Sequence, residues 1–248
     1  MHNKPNPRFS IITVTYNAGK VLEDTIQSVV TQTYKNIEYI IVDGASTDGT
    51  MEIVERYKSH ITKVVSEPDK GLYDAMNKGI GMATGDYLCF LNAGDSFHED
   101  DTLQLMVHSI SSSELPDILY GETAIVDAAG HFLHMRRLQA PERLNWKSFK
   151  QGMLVCHQAF FARHTIMEPY DLKYRFSADF DWCIRLMKKA HSLHNTHVTV
   201  VDYLEEGMTT RNHKASLKER FRIMAKHYGW MSTVFYHIWF TIRLVTKR

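Results

Sequence analysis

Tyr16 and Asn17, Asp43, Glu67 and Asp69, and Asn92 and Asp95 each follow directly on a short apolar run of the chain. Asp95 closes an Asn-Ala-Gly-Asp turn. A lone carboxylate there suits a hard divalent cation, which takes one or two carboxylates and fills its shell with phosphate oxygens and water. The same residue, with Ser96, could instead cap a following helix. Asp43, in VDGAST, could accept from a base N–H or a ribose hydroxyl, or could bond its own turn. Tyr16 could stack on a base or cover the sheet edge. Asp179 and Asp181, in FSADFDW, stand at the start of a helical pattern, where the dipole favours negative charge. A carboxylate in a cleft can act as general base toward a hydroxyl, and dipole complementation without chemistry is the alternative.

The elements that must position these residues follow from periodicity. Phe9–Val14, Tyr39–Val42, Lys63–Ser66 and Tyr87–Leu91 are short β-branched or apolar runs bounded by turn residues, and they predict strands. Helices are predicted between them at 20–31, from the Ser46–Glu52 turn through Tyr57, and at Leu72–Met82, closed by Thr84-Gly85. Strand and helix alternating four times predict an α/β fold, a mainly parallel sheet with helices on both faces. Ligands of such sheets sit beyond the carboxyl ends of the strands, where all four polar clusters fall. After about residue 100 the pattern becomes mixed α/β: a helix over Leu103–Ile110, a hairpin of Asp117–Val126 and His131–Arg136, a strand-like Met153–Arg163, a helix from near Ser177, and a strand over Val198–Tyr203.

Bulk properties exclude several classes. The net charge of +1 carries no general nucleic-acid footprint. Cys89, Cys156 and Cys183 form no CxxC pair, which fits a reduced, cytosolic setting. The start lacks the apolar core of a signal peptide, and no run of about 18 uncharged apolar residues exists to cross a bilayer. There is no Walker A loop or GxGxxG after the first strand, so a cation becomes the candidate for neutralising phosphate. His157-Gln158 and the other histidines show no HExxH or close Cys/His spacing that would argue for zinc.

With these residues in view, the chain resembles the family 2 glycosyltransferases of the GT-A fold. Ser10–Asn17 (SIITVTYN) is similar to their opening strand, and Ile41–Thr50 (IVDGASTDGT) to their second motif. Gly71–Gly79 (GLYDAMNKG) and Gly85–Asp95 (GDYLCFLNAGD) resemble the approach to the DxD segment, and Phe176–Trp182 the region of the catalytic base. The match is nearly continuous over about 9–101. SEPDKGLYDAMNKG, FLNAGD and His157-Gln158 look most like enzymes of colanic-acid and other polysaccharide assembly. The resemblance implies a nucleotide-sugar donor, with UDP-sugar as the first choice, bound by Tyr16, Asp43, Asn77 and Asn92. It also implies Mg²⁺ or Mn²⁺ on Asp95, Asp179 as the base, and inverting transfer to a saccharide or lipid-linked saccharide. Two positions depart from the family pattern: Asn92 replaces the first Asp of the DxD stretch, and Ala178 replaces an acidic residue before the base.

The tail is the last feature. Trp230–Val245 is apolar and aromatic, with basic residues before and after it. It is too short to span a bilayer comfortably and suits an interfacial helix, or one packed on the core or on a second subunit. The expected organisation is a catalytic domain over 1–228 and an amphipathic helix over 229–248, in a cytoplasmic protein peripheral to the inner face of the membrane. Gly207–His213 could close over the donor, with Arg211 or His213 on the diphosphate. Idle nucleotide-sugar binding and nucleotidyl transfer are the competing functions.

Overall fold

The structure is a computed structural model and describes residues 5–111, 114–205 and 213–246. The predicted Rossmann-like half is present: β1 (Phe9–Thr15), α1 (Leu22–Val30), β2 (Ile37–Asp43), α2 (Thr50–Arg56), β3 (Lys63–Ser66), α3 (Leu72–Met82) and β4 (Tyr87–Phe90). Then come β5 (Ser96–Phe97), α4 (Thr102–Ser109), β6 (Ile118–Val126), β7 (Phe132–Met135), β8 (Phe160–Arg163), α5 (Ala178–Lys189), β9 (Leu193–Leu204), α6 (His213–Tyr228) and α7 (Trp230–Thr246). One sheet runs β3-β2-β1-β4-β8-β6-β9-β5, with β7 added beside β6. The pairs β1–β2, β2–β3, β1–β4 and β6–β9 are parallel, whereas β8 runs antiparallel to both β4 and β6.

All seven residues of β1 are buried, which is why its sequence is mostly apolar or β-branched and shows no alternation with charged residues. β3, at the edge, alternates half-buried and exposed residues. The order reverses at β1, with β2 and β3 on one side and β4 on the other. The carboxyl ends of β1 and β4 therefore form a switch-point crevice. At the opposite end, buried Glu38 staples three strands. It accepts from Ser10 Oγ (2.6 Å), Thr84 N (2.7 Å) and Thr84 Oγ1 (2.8 Å), with Lys63 Nζ at 3.1 Å. Burial pushes this carboxyl up, but the donors from Ser10, Thr84 and Lys63 outweigh it and bring it down to about 2.

The second half departs from the sequence expectation in more than one place: β5 is additional, β9 starts at Leu193 rather than Val198, and the 153–163 run differs most. Only Phe160–Arg163 of the strand-like 153–163 run is a strand, and His157–Ala159 forms a 3-10 turn. The carbonyls of Met153 and Leu154 are satisfied by the Arg136 guanidinium, at 2.8 and 3.2 Å, rather than by a neighbouring strand. The segment is thus free to turn while its backbone stays hydrogen-bonded. Gly229, at φ 83°, breaks the basic helix α6 from α7. On α7, Thr233 is fully buried and Tyr236 and Phe240 pack on the core, while Met231, Phe235, Ile238 and Ile242 form an exposed stripe. No helix among the described residues is long and apolar enough to cross a membrane.

Candidate active site

Three loops brace one another at the carboxyl ends of β1, β2 and β3. Asn17, in the left-handed region at φ 48°, donates its backbone N–H to Ser46 Oγ (2.8 Å), and its side-chain oxygen accepts from Thr47 N (2.9 Å). Asp43 is fully buried and accepts from Ser46 Oγ, Ser46 N (3.0 Å) and Ser66 Oγ (2.6 Å). It therefore does the work of a turn residue, with one acceptor position of its four left over. A side chain at Gly44 would meet an Asp69 carboxylate oxygen at 2.7 Å and the Tyr16 ring at 3.2 Å. Tyr16 is 66% exposed. Its ring, the Gly44 backbone and the Asp69 carboxylate thus face one narrow space, flat on one side and acidic on the other.

Beyond β4 the chain turns through Asn92-Ala-Gly-Asp95. Asp95 caps no helix, because β5 follows it and α4 starts only at Thr102. Its buried carboxylate accepts from Gln158 Nε2 (2.7 Å) and Leu204 N (3.3 Å). Burial pushes it up to about 7, and these neutral donors offset only part of that. A buried carboxylate with no cationic partner among the described residues is a costly arrangement, and a divalent ion is a partner that would relieve it. Among the described residues no group of three or more His, Cys, Asp or Glu side chains is placed to hold a metal. A cation on Asp95 would need substrate oxygens and water to complete its shell, as a hard ion can.

Asp179, in the first turn of α5, is brought to the same crevice. Its Oδ1 accepts from the Tyr73 hydroxyl (3.0 Å) and its Oδ2 faces His157 Nδ1 at 3.6 Å. His157 Nε2 lies 3.4 Å from Asn92 Nδ2, and Asn92 Oδ1 is buried with no partner among the described residues. Burial pushes His157 below the ordinary histidine value against the pull of Asp179, with Arg136 adding to the lowering. Asp181 has the opposite fate. It is fully buried and bound by Arg185 Nε (2.7 Å), His227 Nε2 (2.8 Å) and Lys226 Nζ (3.0 Å). Burial pushes its carboxyl up, but these three donors more than reverse that and hold it well below the usual carboxylate range. It pins α6 to α5. The i,i+4 spacing of Asp181 and Arg185 was the signal in the sequence for this role.

Asn77, expected on the donor, has both ends of its amide on the Tyr170 backbone, at 3.0 and 2.7 Å. Tyr170 in turn stacks on Trp182 and packs at a tilt against Tyr73, so Asn77 serves as a bracket for the wall that holds Tyr73. Tyr73 and Arg136 carry no signal of their own in residue type or spacing, and His157-Gln158 stands out only in the test for zinc spacing and in the resemblance. Residues 206–212, including Arg211, lie outside the described residues.

A crevice at the switch point, with a buried carboxylate past the end of β4 and a second on a facing helix, lies where α/β sheets of this kind take their ligands. Comparison with known proteins decides the family: residues 10–168 match Glycosyl transferase family 2. The chain belongs to this family. It is 36% identical over 208 residues to the PGL/p-HBAD biosynthesis glycosyltransferase of Mycobacterium bovis (strain BCG / Pasteur 1173P2), covering 81% of this chain and 78% of that one. To the amylovoran biosynthesis glycosyltransferase AmsB of Erwinia amylovora it is 32% identical over 196 residues, 73% of this chain and 64% of the other. Among solved structures it is similar to S. aureus TarS 1-349 in complex with UDP-GlcNAc, with TM-score 0.69 at 18% identity, covering 88% of this chain and 64% of that one. It is also similar to the mannosyltransferase PcManGT from Pyrobaculum calidifontis in complex with GDP-Man and Mn2+, with TM-score 0.66 at 16% identity, covering 94% and 70%. This family 2 glycosyltransferase has the expected GT-A fold, its mainly parallel sheet flanked by helices.

Proposed function

We propose that this glycosyltransferase moves a sugar from a nucleoside diphosphate donor, a UDP-sugar first, to a hydroxyl of a saccharide or lipid-linked saccharide, with inversion. The relatives named for glycolipid and amylovoran biosynthesis support a role in bacterial polysaccharide or glycolipid assembly. Tyr16, Asp43 and Asn92 take the nucleoside side of the donor. Asp179 accepts the acceptor hydroxyl proton as the oxygen attacks the anomeric carbon, and the bond to the diphosphate breaks with its electron pair leaving on the phosphate. A divalent cation, Mg²⁺ or Mn²⁺, when bound at Asp95, would neutralise charge developing on that leaving group. The observation that carries this reading is the meeting of Asp179 and Asn92 through His157, which brings a second carboxylate beside the end of β4.

The experiment is release of nucleoside diphosphate from a panel of UDP- and GDP-sugars, with and without Mn²⁺, in the presence of extracted lipid-linked saccharides. Asp95→Ala and Asp179→Ala are run alongside. Metal-dependent turnover lost in both variants is expected. Turnover that survives in Asp179→Ala would remove the base from the reading. Donor binding without turnover on any acceptor would favour an idle binder, and pyrophosphate release from a nucleoside triphosphate would favour nucleotidyl transfer.

The catalytic domain, 1–228 in this reading, would work at the inner face of the membrane. The exposed Met231, Phe235, Ile238 and Ile242 stripe of α7 enters the lipid interface beside the cations of α6. Flotation with anionic vesicles should be lost in Met231→Ser/Phe235→Ser/Ile238→Ser while the melting temperature is retained; unchanged flotation would end the membrane assignment.

A further inference from the structure

The carboxylate of Asp179 is not simply presented by its helix. Both of its oxygens are engaged from the donor-binding side of the molecule. Tyr73, at the start of α3, donates to Oδ1 across 106 positions of chain (3.0 Å), and His157 faces Oδ2 with Nδ1. Tyr73 and His157 are 7% and 8% exposed, so neither arrangement is a chance surface contact. The Tyr73 ring packs at a tilt against Tyr170, which is held by the Asn77 bracket and by Trp182.

The imidazole has a determinate tautomer in this setting. Which ring nitrogen carries the proton follows from the hydrogen bond made by the other. With Asn92 Nδ2 donating to Nε2 (3.4 Å), the proton of a neutral ring would sit on Nδ1, facing Asp179. The reversed Asn92 amide would set its oxygen against Nε2–H and leave the Nδ1 lone pair confronting a carboxylate oxygen at 3.6 Å, acceptor against acceptor. Of the two neutral arrangements, the first is the one without a repulsion. It leaves Asn92 Oδ1 as a buried oxygen open to a donor group.

We infer that Tyr73 and His157 are positioning residues that fix the Asp179 carboxylate by its two oxygens. We further infer that Asn92, by setting the His157 tautomer, ties the acceptor-side carboxylate to the donor site. The inference rests on the reading of Asp179 as base. In this arrangement the side chain that meets the donor also orients the group that receives the acceptor proton. The 3.6 Å gap is of the kind that closes in a substrate complex, since hydrogen bonds of such sites are often long without ligand.

Two measurements test it. In the full chain labelled with ¹⁵N-histidine, the His157 signals are those absent from His157→Asn. The expected pattern is a neutral ring protonated at Nδ1, with that preference weakened in Asn92→Ala. A ring protonated at Nε2, or one indifferent to Asn92→Ala, overturns the tautomer and with it the link. In the nucleoside diphosphate release assay, Tyr73→Phe and His157→Ala should each lower kcat about 10-fold or more with donor KM little changed, the signature of an interaction needed beyond the ground state. His157→Asn, whose amide N–H can stand near the Nδ1 position, should recover part of the loss. Equal loss in His157→Asn and His157→Ala, or losses confined to KM, would leave these residues merely structural. Failure of Asp179→Ala to reduce turnover would instead sink the base assignment, and the ring spectrum would still decide whether the link exists.

Discussion

Two carboxylates are buried at opposite ends of the same sheet, and they have been treated oppositely. Glu38, at the amino ends of β1 and β2, is surrounded by donors and a lysine, and its carboxyl is brought down to about 2. Asp95, past the carboxyl end of β4, has among the described residues an amide and a backbone N–H as donors, and burial holds it at about 7. One end of the sheet has been satisfied and the other left short of positive charge. Where an interior carboxylate is completed by the protein, it stabilises the fold; where it is left incomplete among the described residues, as at Asp95, the proposed function assigns the partner to a bound cation. This is the sense in which a site is held against the stability of its own scaffold.

The sharpest break in that comparison is Asp95→Asn. Transfer should fall by about 10³-fold, the order of effect seen when a preorganised charge-stabilising group is removed. Yet the metal-free protein should become more stable at pH 8, by at most about 4 kcal/mol from the shift of 3.8 to about 7. Chemical denaturation with EDTA present reads the second effect. The stabilisation of the wild type by Mn²⁺ with UDP should vanish in the variant, read by thermal melting. Glu38→Gln should do the reverse. It should cost about 2 kcal/mol, as for a buried hydrogen-bonded charge, with kcat per folded molecule unchanged.

The pH dependence sharpens the contrast. The Asp95 carboxyl binds its proton more tightly folded than unfolded. The stability it contributes is therefore present below pH 3.8 and lost as pH rises through about 7. The difference between wild type and Asp95→Asn should grow over that window and then level. Glu38 has the opposite sign: its contribution is present above 4.5 and lost as pH falls through about 2. The gap between wild type and Glu38→Gln should shrink only in acid. Unfolding curves of the three proteins across pH check both windows, and parallel curves would dissolve the comparison. The smallest effect is expected from Asn77→Ala. It should loosen the Tyr170 wall by about 1 kcal/mol while leaving donor affinity unchanged, because its amide is spent on backbone.

The sequence by itself determined the donor half. β1, β2 and β4 are buried strands of a parallel sheet, so each had to be a short, mostly apolar or β-branched run, and the polar residue ending each run had to fall at the ligand edge. The positions of Asp43 and Asp95 at that edge were legible for this reason, as was α3 at Leu72–Met82 from its period and flanking glycines. What those residues do was not. Asp43 is consumed largely by Ser46 and Ser66, and Asn77 by Tyr170, because a hydrogen-bond partner depends on where loops from different strands meet. Only the tertiary structure separated Asp179 from Asp181. Two positions apart on a helix, they point about 200° apart, and periodicity cannot say which side meets the crevice and which meets α6. Only the tertiary structure, too, brought Tyr73, Asn92, His157 and Asp179 together. They lie on four different segments, and contacts between segments are fixed by the packing of the whole sheet, not by the local preferences that a sequence displays.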